Sequence, residues 1–186
     1  MAYGNIRSKL TRAICAYLVS KGNCGTVNDI LPNFTTANSG YPNTAVTATI
    51  SRPDSQFTGS RRIPVQISIK GSATQDDAET NPNQPRVDFD NRVQNTSDNL
   101  MQTDDEMTLN FTAAAITAAG RAMAVDASNG ADPVQAQFAA DNADMADFTC
   151  QNWFESGEGD GQADEEGCSW EEILLFEAIA CPSALG

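Results

Sequence analysis

The sequence predicts a single α+β domain that spans residues 1–186. Three observations indicate this fold class. One stretch near the start has the periodicity of an amphipathic helix, two later stretches alternate as paired strands do, and further helical stretches follow them. The length suits one domain, and the content of 40% hydrophobic and 19% charged residues is close to that of globular proteins. One packed core is therefore expected.

Residues 5–21 are predicted to form the first helix, because apolar side chains recur there at three- and four-residue spacing. The apolar stripe consists of Ile6, Leu10, Ala13, Ile14, Tyr17 and Leu18. Gly22 is expected to end this helix. A polar stretch follows over residues 23–43, in which Leu31 and Phe34 are the predicted contacts to the core.

Residues 44–52 and 61–70 alternate between apolar and polar side chains and are rich in β-branched residues, as half-buried strands are. The buried face of the second strand would consist of Ile63, Val65, Ile67 and Ile69. The loop over 53–60 contains proline and glycine, so the two strands are predicted to form an antiparallel hairpin. Residues 71–85 are polar and are predicted to form a mobile loop.

Two helices are predicted next, one from about Pro85 to Met101 and one over residues 111–125. The predicted core face of the former is Phe89, Val93, Leu100 and Met101. Acidic residues interrupt the pattern at 103–106, and Gly120 should weaken the second helix by about 1 kcal/mol relative to alanine. Residues 133–146 are interpreted as a further short helical piece.

The C-terminal part gives conflicting signals. Residues 148–154 alternate as a strand would, with Phe148, Cys150, Asn152 and Phe154 on one side. Residues 155–167 combine four glycines with six acidic residues. In 170–180, the spacing of Ser169 and Glu172 is that of a helix capping box, and local rules slightly favour a helix. The alternative is a central strand that pairs with 148–154.

Composition excludes several classes of function. With 11 basic and 25 acidic side chains the net charge is −14, which disfavours both sequence-reading of nucleic acid and binding to anionic membranes. The apolar residues 13–19 are interpreted as part of the first helix rather than as a signal peptide. Histidine is absent, so Ser-His-Asp and Cys-His catalysis and the commonest zinc ligand are excluded. Carboxylate-only, Ser-Lys and metal-dependent chemistry remain open.

The five cysteines are Cys15, Cys24, Cys150, Cys168 and Cys181. No CxxC motif occurs, so buried, unreactive thiols are the favoured interpretation. The alternative is that some of them pair after assembly, and Cys150 would face Cys181 if their segments were neighbouring strands. The odd number leaves at least one thiol free or paired between subunits.

No catalytic, cofactor-binding or metal-binding residue is nominated. An acidic loop invites a calcium hypothesis, but the EF-hand pattern is absent and a solvated hairpin tip is favoured. The acidic residues of this loop are Glu155, Glu158, Asp160, Asp164, Glu165 and Glu166. Residues 104–106 are likewise interpreted as a solvated acidic stretch. A pair of catalytic carboxylates like that of glycosidases is kept as a minor alternative.

Three further features of the sequence bear on possible binding sites. The chain has no P-loop motif and no GxGxxG motif after a strand. The basic pair Arg61–Arg62 is interpreted as a strand-edge feature rather than a nucleic-acid patch. Trp153 and Trp170 are predicted to pack across the C-terminal hairpin.

The order of these elements resembles that of the tail terminator proteins of tailed bacteriophages, also called tail completion or neck proteins. The resemblance runs over Ile6-Arg7-Ser8-Lys9-Leu10 to Leu18, Gly59 to Ile69 with the run Arg61-Arg62-Ile63-Pro64-Val65, Arg86 to Leu100, and Ser169-Trp170-Glu171-Glu172-Ile173 to Ser183. It covers most of the chain as a pattern of elements.

The resemblance implies a compact subunit in which helices pack on a mainly antiparallel sheet, with 170–180 as a strand. It also implies a six-membered ring in the virion that caps the tail tube, stops its polymerisation and contacts the head-tail connector. DNA would pass through a negatively charged lumen. The loops 23–43, 71–85 and 155–168 would contact neighbouring subunits. The alanine-rich region 107–146 is longer than this family core needs. The alternatives are another head-completion or minor tail protein, a carboxylate-dependent enzyme, or, as the weakest option, a secreted disulfide-stapled module.

Overall fold

The computed structural model describes residues 6–33, 41–49, 52–53, 59–73, 81–101, 111–126, 138, 147–159, 161–164 and 169–182. Within these ranges the chain forms three helices and seven strands. In order, they are α1 (Ile6–Lys21), β1 (Ile30–Pro32), β2 (Asn43–Ala48), β3 (Arg52–Pro53), β4 (Arg61–Ser72), α2 (Gln84–Leu100), α3 (Phe111–Asp126), β5 (Phe148–Glu158), β6 (Gln162–Asp164) and β7 (Ser169–Pro182).

The strands form one sheet in the order β1-β2-β4-β7-β5. The short strand β3 also pairs with β4, next to its first residues, and β6 pairs with the first residues of β7. Only the β1–β2 pair is parallel among the strands described, and the other pairs are antiparallel. The predicted fold class is therefore confirmed: helices pack on a mixed, mostly antiparallel sheet.

The predicted hairpin is confirmed by the antiparallel register of β2 and β4, in which Val46 lies opposite Ile67. The alternating isoleucines and valine of β4 are buried on the face predicted for them, at 1% exposure or less. The first strand is shorter than predicted, since β2 ends at Ala48 and β3 resumes at Arg52. Ile50 lies outside the described residues.

The first helix has the predicted bounds within the described chain, and its predicted stripe is buried. Gly22 ends it with a positive φ of 74°, and its N–H donates to the Val19 carbonyl oxygen at 3.1 Å. The following polar stretch contains β1, a strand that sequence periodicity missed because three residues are too few to define a period. Leu31 is buried as predicted, whereas Phe34 lies outside the described residues.

The second and third helices are also confirmed. Helix α2 has proline in its first turn, and it buries Phe89 and Leu100 while Val93 is partly buried against the core and Met101 is half-exposed. Helix α3 covers the predicted range and extends to Asp126. The predicted interruption at 103–106 lies outside the described residues. So does most of 133–146, of which only Phe138 is described, as a helical and fully buried residue.

The helix that local rules favoured over 170–180 is wrong, because these residues belong to strand β7. Twelve residue pairs join β7 to β4, and β5 pairs along its other edge. Alternate side chains such as Leu174, Phe176 and Ala178 enter the core. Hydrogen bonding along both edges outweighs a capping-box signal that stabilises a helix end by about 1 kcal/mol.

The prediction for the faces of 148–154 was only half right. A β-bulge interrupts the pairing of β5 with β7 between Cys150 and Asn152 and shifts the alternation by one residue. Phe148 and Cys150 are buried as predicted, but after the bulge Trp153 is buried instead of its neighbours.

The predicted contact between the two tryptophans is also wrong. Trp153 stacks on Phe176 at a centroid distance of 4.9 Å, and Trp170 lies 6.0 Å from Phe89 of helix α2. The register explains this, because β5 places Trp153 opposite Ala178, whereas Trp170 lies eight residues earlier on β7 and opposite Gly71 of β4.

The core lies between the sheet and helices α1 and α3, which pack against each other. Gly120 of α3 allows their close approach. A Cβ atom at this position would lie 2.5 Å from Cε1 of Phe148 and 3.1 Å from Cβ of Ala13. The glycine that weakens the helix locally is therefore the residue that lets helix and sheet pack.

Candidate functional site

The two faces of the sheet differ in character. The core side chains of the central strands face the helices, and the alternate positions of β4 and β7 face the opposite side. That opposite face carries ion pairs. Arg62 contacts Glu177 at 2.8 Å and Lys70 contacts Glu171 at 3.7 Å, each pair bridging β4 and β7. These pairs are partly exposed, so each stabilises the fold by about 1 kcal/mol at most.

One end of the sheet is rich in basic side chains, and we call it the basic end. It is formed by the start of β4, with Arg61 paired to Ala180, and by the first half of α1. Thr11 fixes that half of the helix, because its hydroxyl oxygen accepts a hydrogen bond from the Ala48 N–H at 3.2 Å. The basic side chains here are Arg7, Lys9, Arg12, Arg61, Arg62 and Arg121.

Helix α3 contributes the last of these. Arg121 donates to the Thr149 hydroxyl oxygen at 3.1 Å, close to the start of β5. Arg7 and Arg121 are exposed, and Arg12 and Arg61 are half-buried. Acidic residues lie near them as well: Glu177 pairs with Arg62, Asp147 is exposed directly before β5, and α3 ends at Asp126.

The other end of the sheet is acidic, and we call it the acidic end. It is formed by the last residues of β4, the first residues of β7 and the short strand β6. Glu171 and Glu172 lie at the start of β7 and are half-buried. The sequence from 155 to 172 contains eight acidic and no basic residues. Lys70 is the basic residue of β4 at this end.

The distance between the two ends follows from β4, which runs from Arg61 to Ser72. Eleven steps of about 3.3 Å give a separation of roughly 35 Å. This is about four times the distance over which physiological salt screens charges. Charges at one end therefore have little effect on the electrostatic potential at the other.

A groove of about 720 Å³ lies between helix α3 and the edge strand β5. The wall formed by α3 consists of the small side chains Ala113, Ala114 and Ala118. Arg121 of the same helix also lines the groove. Thr117 connects the two walls, since its hydroxyl oxygen accepts a hydrogen bond from the Cys150 N–H at 2.8 Å. The helix thereby satisfies part of the outer edge of β5.

A second contact region lies at the start of helix α2. The Arg86 guanidinium lies 5.4 Å from the ring centre of Phe89 and 5.3 Å from that of Trp170. It also contacts Asp90 one turn along the helix, at 3.0 Å. These contacts fix α2 to the start of β7.

Polar contacts hold the loop after α1 against α2. The Asn95 side chain donates to the Asn23 carbonyl oxygen at 2.9 Å, and Arg92 lies 3.9 Å from the Asp29 carboxylate. Gly25 has a φ of 122° and lies directly beneath the Arg92 guanidinium, where a side chain would clash. Burial lowers the pKa of Arg92, although the nearby Asp29 carboxylate opposes that shift.

The four described cysteines are free thiols. Burial raises the pKa of Cys150 to about 12 and also raises those of Cys15, Cys24 and Cys181. A raised pKa keeps these groups as thiols at neutral pH, in agreement with the favoured interpretation of unreactive cysteines. Cys168 lies outside the described residues.

The suggested pairing of Cys150 with Cys181 is not found. Their segments are neighbouring antiparallel strands, as the suggestion required. However, Cys150 lies opposite Ala180 and Cys181 lies opposite Thr149. Adjacent positions of a strand point to opposite faces, so the two thiols do not face each other.

The acidic loop of the calcium hypothesis is only partly described. Glu155 is exposed on β5, which agrees with a solvated position. The side chains of the other five acidic residues of this loop lie outside the described residues, as do residues 104–106. In the part of the chain that the structure describes, no group of three or more Cys, Asp or Glu side chains is arranged to hold a metal ion.

The interpretation of Arg61–Arg62 as a strand-edge feature is wrong. Both residues begin β4, an interior strand with β3 on one side and β7 on the other. Sequence reasoning also missed the separation of charge between the sheet ends. The signal was present, since residues 6–21 contain four basic and no acidic side chains. The contact of Thr11 with Ala48 and the strand register place the start of that helix away from Glu171 and Glu172 at the start of β7.

No helix in the described ranges combines the length and the apolar character needed to cross a membrane. No protein-family model matches the chain. No curated protein matches it significantly either.

Proposed function

We propose that this chain is a structural protein of a tailed-bacteriophage particle, which forms a ring at the head–tail junction. In this role it caps the tail tube, stops its growth and joins it to the head connector. Its action is geometric: identical subunits bind head to tail, and the ring closes when the rotation between neighbours divides evenly into a full turn.

The observation that supports this proposal most is the strand β7. The order of elements resembled that of tail terminator proteins, and this resemblance required a strand over 170–180 where local rules favoured a helix. These residues form an interior strand of the sheet, between β4 and β5. The residues alone left this strand open as the alternative to a helix, and the resemblance selected it.

The chemistry of the chain agrees with a structural role. Histidine is absent from the sequence, and the pKa values of the described thiols are raised, so neither imidazole nor these cysteines supply a nucleophile or base at neutral pH. The net charge of −14 suits a ring through which DNA must slide, because a negative wall repels the phosphate backbone.

Native mass spectrometry of the purified chain, followed by electron microscopy, tests the proposal. The 19.8 kDa subunit should give a species of six times that mass and ring-shaped particles with an open centre. Adding the chain to polymerising tail tube protein should stop the tubes at one length. A monomer at every concentration that neither caps tubes nor binds the connector would contradict the proposal.

A further inference from the structure

Among the described strands, β1 and β5 lie at the two ends of the sheet order. Strand β1 has three residues and ends at Pro32, which has no backbone N–H group, so it is a poor template for another strand. Strand β5 is eleven residues long, and an edge of that length normally offers a row of backbone groups to another chain. It is therefore the strand through which two copies of this chain could pair edge to edge.

Side chains bind backbone groups of β5 in the stretch where a neighbouring strand would pair. The Cys150 N–H donates to the Thr117 hydroxyl oxygen of α3 at 2.8 Å, in a buried contact. The Trp153 N–H donates to the Asn152 side-chain oxygen at 2.9 Å, and the Cys150 thiol donates to the Asn152 carbonyl oxygen at 3.3 Å. Three backbone groups within four residues thus have side-chain partners.

The shape of β5 adds to this protection. Its pairing with β7 shifts register twice, between Cys150 and Asn152 and between Glu155 and Gly157. Bulges of this kind bend and twist a strand, which makes its edge a poor match for another regular strand. Gln151, the extra residue at the first bulge, is exposed.

Space for another chain exists beside this edge. The groove between α3 and β5 has a volume of about 720 Å³, and Thr149, Cys150 and Gln151 line its strand side. Three residues of a strand extend for about 10 Å. Helix α3 therefore covers the edge incompletely here, and the Thr117 hydroxyl group, rather than the bulk of the helix, occupies the hydrogen-bonding position.

We propose that Thr117 is a guard residue, which prevents β5 from pairing with β5 of a second copy, and that Asn152 and the first bulge support it. The excluded partner is a second copy because every copy has the same edge. Two antiparallel β5 strands would bond each other's backbone groups once the side chains released them. The proposal concerns a contact that the fold avoids, so it does not depend on the proposed ring.

Thr117→Val tests the guard, because valine has nearly the shape of threonine but no hydroxyl group. The buried Cys150 N–H then lacks its acceptor, and pairing with a second copy would supply one. We expect this variant to form intermolecular sheet at a concentration about tenfold lower than the wild type does. Thioflavin T fluorescence and electron microscopy detect such sheet and distinguish it from closed rings. Thr117→Ser keeps the hydroxyl group and should behave as the wild type does.

Three further variants distinguish pairing of edges from loss of the fold. Ile116→Val changes a fully buried neighbour on the same helix, so it lowers stability but keeps the hydrogen bond of Thr117, and it should form no more sheet than the wild type. Asn152→Ala removes the other side-chain acceptor at a half-buried position and should also promote sheet. Gln151→Lys adds a charge to the exposed bulge, and in the Thr117→Val background it should restore the behaviour of the wild type.

Circular dichroism and urea titration establish that each variant is folded and how much stability it has lost. If Thr117→Val and Asn152→Ala are folded and neither forms more sheet than the wild type, the proposal is overturned. It is also overturned if Ile116→Val forms as much sheet as Thr117→Val, because unfolded chains would then be the source. If Thr117→Val does not fold, Asn152→Ala and its combination with Gln151→Lys decide the result.

Discussion

Replacement of Gly120 by alanine distinguishes the effect of helix propensity on stability from the effect of packing. In an isolated helix this change stabilises the helix by about 1 kcal/mol. Here the new Cβ atom would lie 2.5 Å from Cε1 of Phe148, which has 0% exposure, whereas carbon atoms in contact normally lie about 3.5–4.0 Å apart. The ring and its strand must move by about an ångström.

Overpacking of this kind costs about 1–3 kcal/mol. Subtracting the gain in propensity leaves a net destabilisation of about 1 kcal/mol. With a urea dependence of about 2 kcal/mol per molar, the unfolding midpoint should fall by about 0.5 M. Tryptophan fluorescence follows the transition, and all variants are compared at one protein concentration because association adds to apparent stability.

Two further variants test the cause. Phe148→Leu removes the ring atom that meets the new methyl group, so in that background Gly120→Ala should become neutral or stabilising. Ala114→Gly, at an exposed position of the same helix, measures propensity alone and should destabilise by about 1 kcal/mol. If Gly120→Ala stabilises the wild-type protein by the full propensity gain, the close approach of α3 to β5 is wrong.

Three more predictions concern buried groups. Trp153→Phe should destabilise the fold by about 3 kcal/mol in urea titrations, because the Leu100 carbonyl oxygen loses the indole N–H that donates to it at 2.8 Å and a cavity forms beside Phe176. Stability should also fall above about pH 9. Above this pH the thiols of the unfolded chain lose their protons, whereas Cys150 of the folded chain keeps its proton until about pH 12. Each thiol that differs in this way lowers the free energy of unfolding by about 1.4 kcal/mol per pH unit. Cys150→Ala should reduce this slope, and an unchanged slope would contradict the assignment. Finally, peptide mapping after alkylation of the native protein should find half-buried Cys181 modified well before Cys150, and equal rates would show that the strands open readily.

Much of the fold was predictable because periodicity along one segment reflects one buried face. Helix α1 and strand β4 each present a regular stripe to the core, and both have the predicted bounds within a few residues. The hairpin of β2 and β4 followed from turn residues between two alternating stretches. These elements could be predicted because the residues that determine each of them are close together in the sequence.

The features that were missed depend on long-range contacts. Strand β7 has the local pattern of a helix and becomes a strand only because β4 and β5 pair with both of its edges. The bulge after Cys150 shifts the phase of β5, and an alternation rule cannot anticipate an inserted residue. Trp153 and Trp170 could be matched with their aromatic partners only after that register was known.

The charged ends show the same limit for the candidate site. The sequence contains a basic first helix and an acidic segment over 155–172, but their positions along the chain do not say whether they meet or lie apart. The register of β4 with β7 and the contact of Thr11 with Ala48 place the start of α1 and the start of β7 toward opposite ends of the sheet.

The most direct test of the proposed ring at the head–tail junction is electron cryo-microscopy of particles that contain this chain. We expect six copies in one layer between the tail tube and the connector. In that layer the sheet with its twelve-pair β4–β7 ladder should fit the density. A junction layer built entirely from other proteins, with this chain absent or placed elsewhere in the particle, would contradict the proposed function.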